Sequence, residues 1–173
     1  MEANSEVSGM KRNFILQQGF ADPIPQSCGR HYSALLFQSR LVGLAVLIGT
    51  VFQWPAVFLT LTAVLWWSAL LPKWNPFDAL YNYFWGSKAG AIPLSPAPGP
   101  RRFAQGVAGF FNLMIWNSLM LGWHVVAYVL EGVMIVSVCA LIFGGFCLGS
   151  FIYHYLAGRG EFAKRTLPWV KPK

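Results

Sequence analysis

The sequence predicts an all-α membrane protein: four transmembrane helices arranged as two hairpins, a short interfacial amphipathic helix, and both termini on the cytoplasmic side. Three observations predict it. Only 11% of the 173 residues are charged and 55% are hydrophobic, whereas a soluble domain carries about 25% charge. No Asp, Glu, Lys or Arg occurs in residues 41–72 or 132–158, and about 20 apolar residues suffice to cross a bilayer as a helix. Finally, the 13 Lys and Arg fall into three groups near Lys11–Arg40, Lys73–Arg102 and Arg159–Lys173. The positive-inside rule puts these three groups on one side.

Residues 1–32 are mixed and polar, with Pro23 and Pro25 close together. They read as an irregular cytoplasmic segment, with at most a weak amphipathic piece around Phe14–Phe20. The domain itself spans residues 33–158. Its first helix is expected over 33–52 and its second over 56–71, divided at Gln53-Trp54-Pro55, because proline removes a backbone donor and disfavours helix at the residue before it. Arg40 lies in the first helix and is expected to snorkel to the interface in preference to pairing inside the bundle.

After the second helix comes Asn75-Pro76-Phe77-Asp78. Asn is a good N-cap, Pro suits the first helical position, and Asp complements the positive helix start. Phe77, Leu80, Tyr81, Phe84 and Trp85 then form one apolar stripe. This predicts a helix over 76–85 lying in the interface plane, either on lipid or as a docking surface for another subunit. Residues 86–100 hold Pro93, Pro96, Pro98 and Pro100 and read as an extended linker. Arg101-Arg102 are placed at the membrane edge. A third helix follows over 103–122 with Asn112 and Asn117 at depth, and a fourth over 132–157. In the fourth, Gly145, Gly149 and Ser150 give a small-residue face for close helix packing. Residues 159–173 form a basic cytoplasmic tail.

Three stretches resemble a known group: Asn75-Pro76-Phe77-Asp78-Ala79-Leu80-Tyr81, Arg101-Arg102-Phe103-Ala104-Gln105, and Gly145-Phe146-Cys147-Leu148-Gly149-Ser150-Phe151-Ile152-Tyr153. Together they look like a family of small bacterial four-helix membrane proteins without an assigned function. The resemblance covers roughly residues 30–158. It implies a Cys-x-x-Cys in the last helix and a setting near thioredoxin-like or sulfur-transfer proteins. Here Cys147 matches the first position, but Ser150 occupies the second. A reversible dithiol exchange needs both thiols.

Candidate chemistry is sparse. Cys147 is either a small packing residue or a reactive thiol; Cys139, eight residues before it on the expected helix, lies about 12 Å away by rise and is too far to pair. His154 and His31, expected on the same side, are the candidates for a haem or pigment ligand; His124 belongs to the opposite side. Glu131 reads as a solvated carboxylate at the outer interface. Trp54 and Trp123 suit one aromatic belt, Trp74 and Trp85 the other, with Trp66, Trp67 and Trp116 inside the spans. Nucleotide loops, metal clusters and hydrolase triads are missing from the sequence. The net charge of +7 is dispersed beside apolar runs, which argues against nucleic acid as a partner.

These features lead to the expectation of a multi-pass protein of the bacterial inner membrane, a non-catalytic accessory or scaffold subunit of a larger energy-transducing or photosynthetic complex. Its partners would be the bilayer and other integral membrane subunits, with contact to pigment, quinone or lipid left open and no cofactor assigned. The alternatives are a membrane thiol or sulfur-handling protein, as the resemblance implies, and a small transporter.

Overall fold

Charge-poor, helix-compatible sequence gives an all-helical chain. The computed structural model describes residues 9–20, 25–85 and 95–170, and among these it contains no strand. Eight α-helices follow in order: α1 Gly9–Gln17, α2 Pro25–Phe52, α3 Pro55–Leu70, α4 Pro76–Trp85, α5 Gly99–Met120, α6 His124–Gly144, α7 Leu148–Leu156 and α8 Gly160–Arg165. A 3₁₀ turn, Pro72–Trp74, links α3 to α4. Two helical stretches are long and apolar enough to cross a membrane, Gly29–Phe52 and His124–Gly144; α3 is apolar but shorter.

The expected break between the first two helices is present. Gln53 adopts φ +46°, Trp54 donates its backbone N–H to the Gly49 carbonyl at 2.9 Å, and Pro55 opens α3 at the position where its missing N–H costs nothing. Helix α2 starts at Pro25, eight residues before the expected 33, for the same reason: its first proline needs no donor, and residues 26–32 contain no further proline. Helices α2, α3, α5 and α6 share one core of Val42, Val46, Phe58, Leu61, Leu65, Ile115 and Met134, which Phe77 of α4 completes. Close approach of α3 and α5 depends on Gly109, because a Cβ there would lie 2.5 Å from Trp66 Cδ1. The indole N–H of Trp66 donates to the Gly106 carbonyl at 3.2 Å.

The chain departs from the sequence reading most at its two ends. Residues 9–17 are helical, not irregular. Phe14 and Ile15 are each 1% exposed and pack with Phe20, Leu35 and Cys147 in a second apolar cluster. The C-terminal tail folds onto the same helix: Asn13 Nδ2 donates to the carbonyls of Leu167 at 3.0 Å and Val170 at 2.9 Å, and Ala163 of α8 is fully buried.

The expected helix over 132–157 is two helices. Helix α6 begins earlier, at His124, and stops at Gly144; Gly145 takes φ +59° as its C-cap, a conformation that glycine adopts without the Cβ penalty. Cys147 is extended and starts α7. Gly145 is therefore in the break and does not share a helix face with Gly149. Close packing against α5 is carried by Gly149, where an added Cβ would sit 2.8 Å from Ala104 Cα, and by the fully buried Ser150 beside it.

Helix α4 has the predicted bounds, and Asn75 caps it by accepting the Phe77 backbone N–H at 3.0 Å. Its apolar stripe is divided. Phe77 and Tyr81 are buried, whereas Leu80 and Phe84 are exposed; Trp85 ends the helix. Of the expected linker 86–100, residues 86–94 lie outside the described residues, and α5 already starts at Gly99.

Candidate functional site: a polar-ended cavity

The charges at the start of α5 do not sit at an exposed edge as a pair. Arg102 is exposed and its Nε donates to the Ala69 carbonyl at 2.7 Å, which satisfies an otherwise orphaned C-terminal carbonyl of α3. Arg101 points inward and is only 4% exposed. Its Nη2 lies 2.9 Å from Asp78 Oδ1, and its Nη1 donates to Asp78 Oδ2 at 3.3 Å. The same Nη2 donates to Gln38 Oε1 at 2.6 Å. One turn along α5, Gln105 Nε2 donates to that Gln38 oxygen at 3.3 Å. Burying an ion pair is offset only when further hydrogen bonds satisfy its remaining valences, and Gln38 supplies one of them.

Arg101, Gln105 and Gln38 form a polar patch in the lining of a cavity of about 250 Å³, which Gln18 also lines. Its walls come from α2 (Leu35, Val42), α5 (Ala108, Phe111), α6 (Met134, Val138) and α7 (Gly149, Ile152), with Phe14 and Leu65 closing it. Exposed Val133, Leu148 and Ile152 mark its mouth.

Cys147 also lines the cavity. It is buried, and its backbone N–H, freed by the helix break, donates to Gln17 Oε1 at 2.8 Å. The hydroxyl of Ser150, at the position matching the second cysteine, lies 3.3 Å from both Gln18 Oε1 and the Pro100 carbonyl and shares its one proton between them. Three elements thus meet where the break occurs: α1 and the residue after it supply Gln17 and Gln18, α5 a carbonyl, and α7 with its N-cap a hydroxyl and a thiol.

The histidines are used by the fold. His154 is 3% exposed; its Nε2 is 3.0 Å from the Gln17 carbonyl, and its ring packs edge-on to Phe162. It lies outside the two spanning stretches. Burial pushes its pKa below the usual imidazole value; the Gln17 carbonyl pulls it back up, and the nearby Arg159 charge lowers it further. His31 accepts the Ser95 backbone N–H on Nε2 at 3.3 Å and stacks obliquely on Phe20. Among the described residues no group of three His, Cys, Asp or Glu could hold a metal ion.

Glu131 corrects the expectation of a solvated carboxylate, being 1% exposed. Gln53 Nε2, in the α2–α3 turn, donates to its two oxygens at 3.3 and 3.1 Å. Arg40, by contrast, is exposed. Asn112 is wholly buried, its Nδ2 donating to the Ala108 carbonyl at 2.8 Å. Neither the inward turn of Arg101 nor the glutamine cluster was expected; the only sequence signal was an acid, Asp78, following one spanning run and two arginines preceding the next.

No curated protein and no solved structure matches this chain. The profile of DUF4395, described as a domain of unknown function, matches residues 33–157. That stretch includes Gln38, Asp78, Arg101, Gln105, Cys147 and His154, and leaves α1 and α8 outside it. On this coverage the chain belongs to the DUF4395 family.

Proposed function

We propose that this chain is a multi-pass protein of the bacterial inner membrane, crossing it four times through α2, α3, α5 and α6, and that it works as a non-catalytic subunit of a larger membrane assembly. Both termini, α4 and the α1–α7–α8 cap lie on the cytoplasmic side in this reading. The observation that carries it is the exposed surface of the long helices. Val125, Val129, Val136 and Phe143 of α6 are 77, 62, 68 and 80% exposed, and Val51 and Phe52 of α2 exceed 70%. Monomeric soluble proteins rarely leave such a contiguous apolar surface in water; hydrocarbon or a neighbouring subunit is its natural surrounding. Helix α3, at 16 residues, is about 24 Å long, short of a ~30 Å hydrocarbon core, a mismatch met by local thinning or by neighbours. The non-catalytic part rests on how the polar groups are used: the buried Arg101, Glu131 and Asn112 and the exposed Arg102 each bond to a group of the protein itself.

Gentle detergent extraction from native membranes, with sizing of the particle that carries the chain, tests this reading. A particle far larger than 19.3 kDa plus detergent is expected; a lone chain would overturn the subunit role. One observation favours a second reading, thiol handling: Cys147 faces a cavity at the start of α7. Cys147→Ser decides between them, since loss of activity with assembly intact would sink the structural reading.

A further inference from the structure

We propose that the cavity between α2, α5, α6 and α7 holds one acyl chain of a membrane phospholipid. Its shape points to a chain. The lining runs from Arg101 to Phe111 along α5 and from Val133 to Leu141 along α6, about 12–15 Å by helical rise. A volume of about 250 Å³ drawn out over that length is a slot and not a rounded chamber. A single small ring, which a cavity of about 150 Å³ already accommodates, would leave part of it empty.

The walls point to a tail and not to a polar head. The hydroxyls of Ser39 and Ser137, both in the lining, donate to the Leu35 and Val133 carbonyls of their own helices at 2.8 Å. The Arg101 guanidinium is held by Asp78 and Gln38, and Gln105 donates to the same Gln38 oxygen. Gln18 Oε1 is engaged by Ser150. The remaining walls are apolar, with Leu35, Val42, Val107, Phe111, Met134 and Leu141 among them. A polar head placed between them would give up its hydrogen bonds to water, whereas a hydrocarbon tail has none to lose.

The mouth says where the tail comes from. Val133, Leu148 and Ile152 line the cavity and are exposed. Val133 stands four residues after Val129 and three before Val136 on α6, so the three share one face, and Val129 and Val136 are 62% and 68% exposed. The slot is therefore continuous with the apolar flank that the membrane reading above places in hydrocarbon, and the proposal rests on that reading. Phospholipid chains make up that hydrocarbon. A phospholipid can keep its headgroup at the interface and thread only its tail past Val133 and Ile152. The basic groups that the same reading gathers on the side of α7 favour an anionic headgroup.

The test is photo-crosslinking of the full chain in lipid nanodiscs with phosphatidylglycerol that carries a mid-chain diazirine, read by peptide mass spectrometry. Labelling of Val107 and Leu141, in the slot, is expected beside labelling of Val129 and Val136 on the outer flank. Labelling confined to the outer flank would overturn the slot assignment and leave the membrane reading standing; labelling of neither would count against the membrane reading itself. Val107→Phe, which fills the slot, should lose the inner labels and keep the outer ones, and inner labels that survive it would overturn the proposal. Geranylgeraniol added at low mole fraction should leave the inner labels unchanged; their disappearance would make a free isoprenoid the occupant and overturn the acyl-chain assignment. The comparison of inner with outer labels in the wild-type chain stands without any variant.

Discussion

Replacing Arg101 with Met separates a buried ion pair from a peripheral one. Arg101 and Asp78 side chains are 5% and 14% exposed, with Nη2 and Oδ1 2.9 Å apart. A solvated pair at a membrane edge contributes about 0–1 kcal/mol. Removing one partner of a buried pair costs about 3–5 kcal/mol, because the remaining charge is left uncompensated. In Arg101→Met, Asp78 loses both donated hydrogen bonds, and Gln38 Oε1 loses its 2.6 Å donor. We therefore expect a loss of about 3–5 kcal/mol. Asp78→Leu in the Arg101→Met background removes the stranded carboxylate and should restore at least half of that loss. The assay is reversible SDS titration of the detergent-solubilised chain, followed by far-UV circular dichroism. A cost below about 1 kcal/mol for Arg101→Met, or a double variant as unstable as the single, would refute the buried-pair account.

Gly145→Ala should cost about 1–2 kcal/mol, since its φ of +59° is left-handed, and Gly145→Asn should cost less; equal stability of all three in the same titration would mean that the break does not need that conformation. Gly109→Ala should cost about 1–3 kcal/mol by overpacking, and the cost should shrink in a Trp66→Leu background, because Trp66 supplies the 2.5 Å contact; additive effects would contradict this. His154 has a folded-state pKa below its ordinary 6.5, so the unfolded chain takes up the proton first on acidification and stability should fall as pH drops below about 6.5. His154→Gln should flatten that slope between pH 8 and pH 5.5; an unchanged slope would assign the pH dependence to other groups.

Elements whose ends are set by their own residues were readable in the sequence. The α2–α3 division at Gln53-Trp54-Pro55 and the bounds 76–85 of α4 follow from prolines, an N-cap and an acid within a few positions. What depends on distant partners was not. Phe14 and Ile15 look unremarkable in a weakly amphipathic stretch; their burial arises because Leu35 and Cys147 provide a seat. Glu131 reads as solvated until Gln53, 78 residues away, is placed beside it. The break at Gly145 is hidden by composition: an uninterrupted apolar run suggests a continuous helix, in which Gly145, Gly149 and Ser150 read as one packing face. Two adjacent glycines, Gly144 and Gly145, within the uncharged stretch that begins at Gly132 are equally a stop signal.

The break also explains why the chain's two ends belong to the fold. A helix interrupted near a membrane leaves backbone donors and acceptors that must be satisfied within the protein. Here the N–H of Cys147 is taken by Gln17 of α1, while Phe146 donates back to Ala140 at 3.2 Å. Gln17 also presents its carbonyl to His154, and Gln18 accepts from Ser150. Helix α1 in turn is held by Asn13, which ties it to the carbonyls of Leu167 and Val170. The segments outside the DUF4395 match thus supply the hydrogen bonds that a broken α6–α7 requires. Because the same break turns Cys147 and Leu148 towards the cavity, the shape of the candidate site depends on residues that the family's common region does not contain.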